Sequence, residues 1–179
     1  MPAYTYVRAS IEDVKRLYDP TYFPSGVVIN LEEVLNEKRR IYVDLRNGKF
    51  SYNPIEGFEE YVEILNNYVV GIAIDPVEAM AKLDMAVIYG DKGYGIRKGT
   101  KVVLLEAKGK GVYPLINEGE EVSKGQRVFY VVTGKYEVRV IRSPCEGILL
   151  VISELIPSEL QVFRAVLVSK HDVIGLERV

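Results

Sequence analysis

A glycine turn that occurs twice, 26 residues apart, constrains this chain more than any other feature. Gly93, Ile96, Lys98, Gly99, Lys101, Val102, Leu104 and Leu105 recur as Gly119, Val122, Lys124, Gly125, Arg127, Val128, Tyr130 and Val131. The shared pattern is Gly-x-x-(Ile/Val)-x-Lys-Gly-x-(Lys/Arg)-Val, followed by an apolar strand. Each glycine can take a positive φ at no steric cost, while the Ile or Val between them plugs inward. A turn of this kind feeds a strand at a set angle. Two copies predict a small all-β body with internal pseudo-symmetry. From residue 93 onward glycines and valines take over and helix signals vanish.

The repeat also decides the meaning of Gly93 to Thr100, GYGIRKGT, which superficially matches a phosphate-binding loop. Its Lys-Gly order is reversed relative to that motif, and the chain afterwards enters a strand rather than a helix. The second copy places Glu120 and Glu121 where phosphate would sit. A structural turn is expected.

Composition narrows the class. The chain has 179 residues, 48% hydrophobic and 27% charged, enough for one large domain or two small ones with a real core. Its 23 basic and 25 acidic side chains give a net charge of −2, which argues against a dedicated nucleic-acid binder. The longest apolar run, Val69 to Ile74, is far too short to span a bilayer, and the first residues lack a signal-peptide pattern, so no membrane role is expected. One cysteine, Cys145, excludes an internal disulfide and points to a cytoplasmic setting. One histidine, His171, leaves little metal-binding or His-based capacity, and none is expected. Scarce glutamine beside many Glu, Lys and Tyr leans towards a thermophile.

Before residue 91 the pattern alternates. Tyr4–Arg8 predicts a strand, and Ser10 with Asp13 caps a helix over 11–18. Val27–Ile29 is a buried-strand candidate, and Asn30 with Glu33 predicts a helix through about Arg40. Residues 41–52 form a hairpin around Asn47-Gly48. Phe58, Tyr61, Val62 and Leu65 at helical spacing predict a helix over 57–67. Val69–Ile74 is the most apolar strand. Asp75 then caps a short helix starting at Pro76, and Met85–Tyr89 is one more strand. Asp75 and Asp84 sit at element ends, where capping and solvation compete with a catalytic role. The tyrosines at 4, 6, 18, 22, 42, 52, 61 and 68 suit core and edge packing better than a ligand cage.

The second copy of the repeat continues into Thr133-Gly134-Lys135-Tyr136, a hairpin tip, and Ser143-Pro144-Cys145-Glu146-Gly147, a corner before an apolar strand over Ile148–Ile152. With Gly119, Val122, Gly125 and Val128, this layout resembles biotinyl and lipoyl carrier domains over roughly residues 100–168. The resemblance implies a flattened barrel-sandwich hybrid of two sheets, with Lys135 as the attachment lysine for biotin or lipoate. An attached arm would make the protein a mobile carrier, with the chemistry held by the cofactor and partner enzymes. The chain also resembles an uncharacterised archaeal family that joins such a module to a small N-terminal domain. Three departures stand out. The tip reads Gly-Lys-Tyr rather than Met-Lys-Met or Asp-Lys-Ala, one extra residue separates Lys135 from Pro144, and Pro157-Ser158-Glu159-Leu160 replaces the second glycine turn.

The expected fold is therefore α+β: an α+β domain over residues 1–91, then an all-β barrel-sandwich-hybrid domain over 92–179. The leading function is a non-catalytic binding or assembly module. The alternatives are a carrier modified on Lys135 and an enzyme with its site between the halves, to which Asp75, Asp84 or tyrosines contribute. Cys145 is expected to be a buried inert thiol and His171 a surface histidine. An unknown protein partner and a homo-oligomer both stay open.

Overall fold

The computed structural model describes residues 2–155 and 159–179, so the Pro157-Ser158 part of the replaced glycine turn lies outside the described residues. Tyr4–Val7 forms β1. Ser10 then opens α1, Ile11–Leu17, with a complete capping box. Its Oγ accepts the Asp13 N–H at 3.2 Å, and Asp13 Oδ2 accepts the Ser10 N–H at 2.8 Å. No buried strand follows: residues 27–29 run as loop, and Val28 is 94% exposed.

Two of the three further helices expected from sequence are replaced by strand. Asn30 does cap, but only the single 3-10 turn Leu31–Glu33, before β2 runs over Leu35–Asp44. The charged stretch Glu37–Arg39 bulges out of the pairing between Asn36 and Arg40, which is why it mimics a solvated helix face. The hairpin to β3, Lys49–Ser51, pairs Val43 with Phe50 through a four-residue turn, in which only Gly48 takes a positive φ. β4, Glu59–Ile64, buries Tyr61 and Val62 on opposite faces. A strand covered on both sides loses polar alternation, so its apolar residues also fit a helical stripe.

Val69–Ala73 is an irregular buried coil rather than a strand. Gly71 takes φ 115°, and a short β5, Ile74–Asp75, pairs with β6, Met80–Ala81. Asp75 caps the intervening turn, accepting N–H bonds from Val77 and Glu78, with no helix formed. β7 (Met85–Tyr89) and β8 (Lys92–Ile96) form a hairpin.

Beyond β8 the chain builds β9 (Val103–Gly109), β10 (Gly111–Pro114), β11 (Glu121–Val122), β12 (Arg127–Val132), β13 (Val138–Arg142), β14 (Gly147–Glu154) and β15 (Gln161–Val168). One sheet runs β10-β12-β13 and the other β11-β14-β15-β9. They enclose a core that includes Val128, Phe129, Leu149 and Leu167. The last strand, β16 (Ile174–Arg178), returns to the first part of the chain. It pairs with β8 and β3 and closes a barrel in the order β1-β4-β2-β3-β16-β8-β7.

This barrel overturns the α+β expectation. The chain is mostly β throughout, and an α+β domain is not followed by a separate barrel, because strands from both ends of the sequence make one closed sheet. Tyr6, Ile41, Phe50, Tyr61 and Ile88 fill its interior. A third core joins the two bodies. There the outer side of the barrel (Val7, Ile64, Val87), the coil at Val69–Ile74 and the back of the four-stranded sheet (Leu150, Val166, Val168) meet. Burial of such a continuous apolar layer, at about 25 cal/mol per Å², ties both bodies into one packed unit.

The repeat holds in part of its geometry. Gly99 and Gly125 both turn at positive φ just before β9 and β12, whereas Gly93 lies inside β8 and Gly119 turns at φ 89°. Residues 93–100 form a strand end and a turn, as their order of residues predicts.

Candidate functional site

Four segments converge where the barrel meets the two-sheet body: the β2–β3 turn, the β7–β8 hairpin, β16 and the turn at 117–120. They enclose a cleft of about 680 Å³. That volume lies in the range of small-molecule sites, roughly 300–1,000 Å³.

The turn at 117–120 is fixed by its own backbone. Gly119 N–H donates to Leu149 O at 2.7 Å, Leu149 N–H to Glu120 O at 3.0 Å, and Asn117 Nδ2 to Glu120 Oε1 at 2.9 Å. Glu118 is thereby aimed back at β14, where its Oε2 accepts the Ile152 N–H at 2.8 Å. Its Oε1 has no protein hydrogen bond among the described residues. Burial pushes the Glu118 carboxyl above its ordinary value, and the Ile152 N–H offsets only part of that rise.

Tyr89 forms one wall. Its hydroxyl donates to Leu150 O, and burial, followed by the nearby Glu118 charge, pushes its ionisation well above the ordinary tyrosine range. Tyr94 stands at an interplanar angle of 66° to it, with ring centroids 6.2 Å apart. Lys49 and Glu177 pair at 3.4 Å on the rim, while Lys92 has no ion pair among the described residues. Gly48 keeps the floor low: a Cβ there would lie 2.5 Å from Gly175 O. The cleft thus offers an anchored carboxylate, a free ammonium, an amide and an aromatic wall. It has no nucleophile paired with a base, and no metal-ligating group of three exists among the described residues.

The residues singled out from sequence lie elsewhere. Lys135 is exposed at the tip between β12 and β13, where Thr133 N–H donates to Glu137 O at 2.8 Å and closes a three-residue loop. Tyr136 in that loop takes φ 61°, and Lys110 sits 4.4 Å from its ring centroid. Asp75 is buried. Burial raises its carboxyl, but N–H bonds from Glu78 and Val77 and the ion pair with Lys82 at 3.3 Å leave it below the usual range. Asp84 accepts the Lys98 N–H at 2.7 Å. Cys145 is half-buried against the two-sheet core, and His171 is exposed in a hollow beside Lys170. Sequence reasoning singled out neither Glu118 nor Tyr94. The one available signal was the Asn117-Glu118 pair at the entry to the Gly119 turn.

Fold and cleft define the class: a mostly β, two-body protein with a small-molecule-sized cleft at the junction. The chain belongs to the family described as "Uncharacterized protein conserved in archaea (DUF2118)", whose pattern matches residues 28–161. It is also similar to "Uncharacterized protein MJ0859" of Methanocaldococcus jannaschii, at 33% identity over 60 residues. That similarity covers 34% of this chain and 37% of the relative. No described helix is long and apolar enough to cross a membrane.

Proposed function

We propose that this protein is a non-catalytic binding module that holds a small polar molecule in the junction cleft, with Glu118 as the anchoring carboxylate. The observation that carries this role is the state of Glu118: half-buried on the lining of the cleft, with one oxygen held by the Ile152 N–H and no hydrogen bond to the other among the described residues. A half-buried carboxylate with one oxygen not hydrogen-bonded favours a ligand that brings a hydrogen-bond donor or positive charge, because such a partner offsets the cost of burial. Tyr94 and Asn117 supply a flat wall and an adaptable amide. The test is a thermal-shift screen of the full chain against amino acids, diamines and monosaccharides. A hit is expected to lose its shift in Glu118→Gln. Hits that shift wild type and Glu118→Gln equally, or no hit in any class, would overturn the assignment.

Assembly through the three-stranded sheet is a second role with its own support. Its outer face exposes Tyr113, Val138 and Val140 at 57%, 66% and 36%, and β13 is an open edge. Sizing over a range of concentrations tests it. Self-association that Val138→Lys abolishes supports this role, and a concentration-independent monomer removes it. Exposure of Lys135 at a hairpin tip keeps the carrier role, with biotin or lipoate attached, as a third proposal.

A further inference from the structure

A second polar pocket, of about 450 Å³, sits at one end of the barrel. It shares only Asn47 with the junction cleft. Three arginines reach it from separate elements: Arg8 after β1, Arg46 from the β2–β3 turn and Arg97 after β8. Asp44, Glu59 and Asp84 line it as well.

The two charge signs are not equally engaged. Asp44 accepts the N–H groups of Arg46 and Asn47 at 3.1 and 3.2 Å, and Asn47 Nδ2 at 2.7 Å. Asp84 accepts the Lys98 N–H at 2.7 Å and lies 3.9 Å from Arg8, which also pairs with Glu59 at 3.2 Å. Every carboxylate therefore has its partner within the fold. Arg46 and Arg97 have neither a side-chain hydrogen bond nor an ion pair among the described residues. Neither guanidinium is hydrogen-bonded among the described residues; the Arg46 charge acts on Asp44 and the Arg97 charge on Tyr61, and all of these residues line the pocket.

Tyr61 completes a donor set. Its ring is 1% exposed inside the barrel, and burial, followed by the Asp84 charge, holds its hydroxyl protonated far beyond the ordinary tyrosine range. Guanidiniums present paired N–H donors that match phosphate oxygens, and a neutral phenol adds one more donor. The geometry points to this barrel end as a binding site for a phosphate group, either as the free ion or as the head of a small phosphorylated metabolite. The volume leaves room for more than the ion alone.

Isothermal titration of the full chain at fixed ionic strength tests it, using inorganic phosphate, pyrophosphate and glycerol 3-phosphate, with sodium chloride as the control. Saturable binding is expected, weakened about tenfold or more by Arg97→Ala and lost in Arg46→Ala/Arg97→Ala, with Lys124→Ala unchanged. Both arginines are exposed and unpaired, so these variants are expected to fold as wild type does, which circular dichroism checks. Tighter binding of inorganic phosphate than of the ester would identify the free ion, and the reverse would identify a phosphorylated metabolite. No saturable binding of any of the three, or equal binding by wild type and the double variant, overturns the site. Neither result bears on Glu118, because neither Arg46 nor Arg97 lines the junction cleft.

Discussion

The backbone of Gly119 lies against the Tyr89 ring so closely that a methyl group at 119 would stand 3.3 Å from three ring carbons. This contact joins the turn of the two-sheet body to the barrel strand β7, and the same tyrosine donates its hydroxyl to Leu150 O on β14. Gly119→Ala adds both the ring contact and a side chain at φ 89°. It is expected to cost roughly 1–3 kcal/mol in urea denaturation. Tyr89→Phe keeps the ring but leaves the Leu150 carbonyl without that donor, at about 1–3 kcal/mol. If Gly119→Ala is neutral, the contact does not join the two bodies.

Gly71 gives a sharper case, because two costs can be separated there. It has φ 115°, and a Cβ would stand 2.7 Å from the end of the buried Phe23 ring. Gly71→Ala is expected to destabilise by about 2–4 kcal/mol, from backbone strain and overpacking together. In a Phe23→Ala background the overpacking disappears, and the cost is expected to fall to the strain alone, about 1–2 kcal/mol. The double-mutant cycle measures the difference. An unchanged cost in both backgrounds would mean that Phe23 yields freely.

What the sequence made legible follows from where each side chain goes. The capping box of α1 and the hairpin around Gly48 are local, so propensity and turn chemistry predict them. The second half of β2, residues 41–44, reads as a hairpin strand; its first half was missed because the charged stretch bulges out of the pairing, and β4 was missed for a tertiary reason. Tyr61 faces the barrel interior while Val62 faces the third core, so the run shows no alternation. The return of β16 to the barrel joins residues far apart in sequence and leaves no local trace. Lys135 was visible because hairpin tips carry turn residues. Glu118 was not, because its burial and its Ile152 partner exist only after β14 packs against the 117–120 turn.

Lys135 has a direct test. The three-residue tip, with Tyr136 at φ 61° and Lys110 packed on its ring, differs from the two-sided Met-Lys-Met or Asp-Lys-Ala presentation of carrier hairpins. Intact mass of the protein from its native host reads the outcome. An added mass of biotin or lipoate that is lost in Lys135→Ala would support the carrier role. An unmodified mass in cells with active ligases, unchanged apart from the substitution in Lys135→Ala, would sink it.

The pH dependence of Glu118 follows from the direction of its shift. Burial raises its folded-state value above that of the unfolded chain, so the folded protein holds this proton more tightly. Below the unfolded value both states are neutral and no penalty exists. As pH rises through the folded value the carboxylate must be charged in a half-buried site, and the penalty becomes full above it. Glu118→Gln removes the charge yet keeps an oxygen for the Ile152 N–H. The variant is expected to be more stable than wild type at about pH 8, with the gap closing by about pH 4. Glu118→Ala removes the acceptor too, leaves the Ile152 N–H unpaired, and is expected to be less stable than Glu118→Gln at both values. Urea denaturation of the three proteins at each pH decides the matter. A gap between wild type and Glu118→Gln that is the same at both pH values would show that the carboxylate is not held against its burial, and the anchoring role proposed for it would go with that.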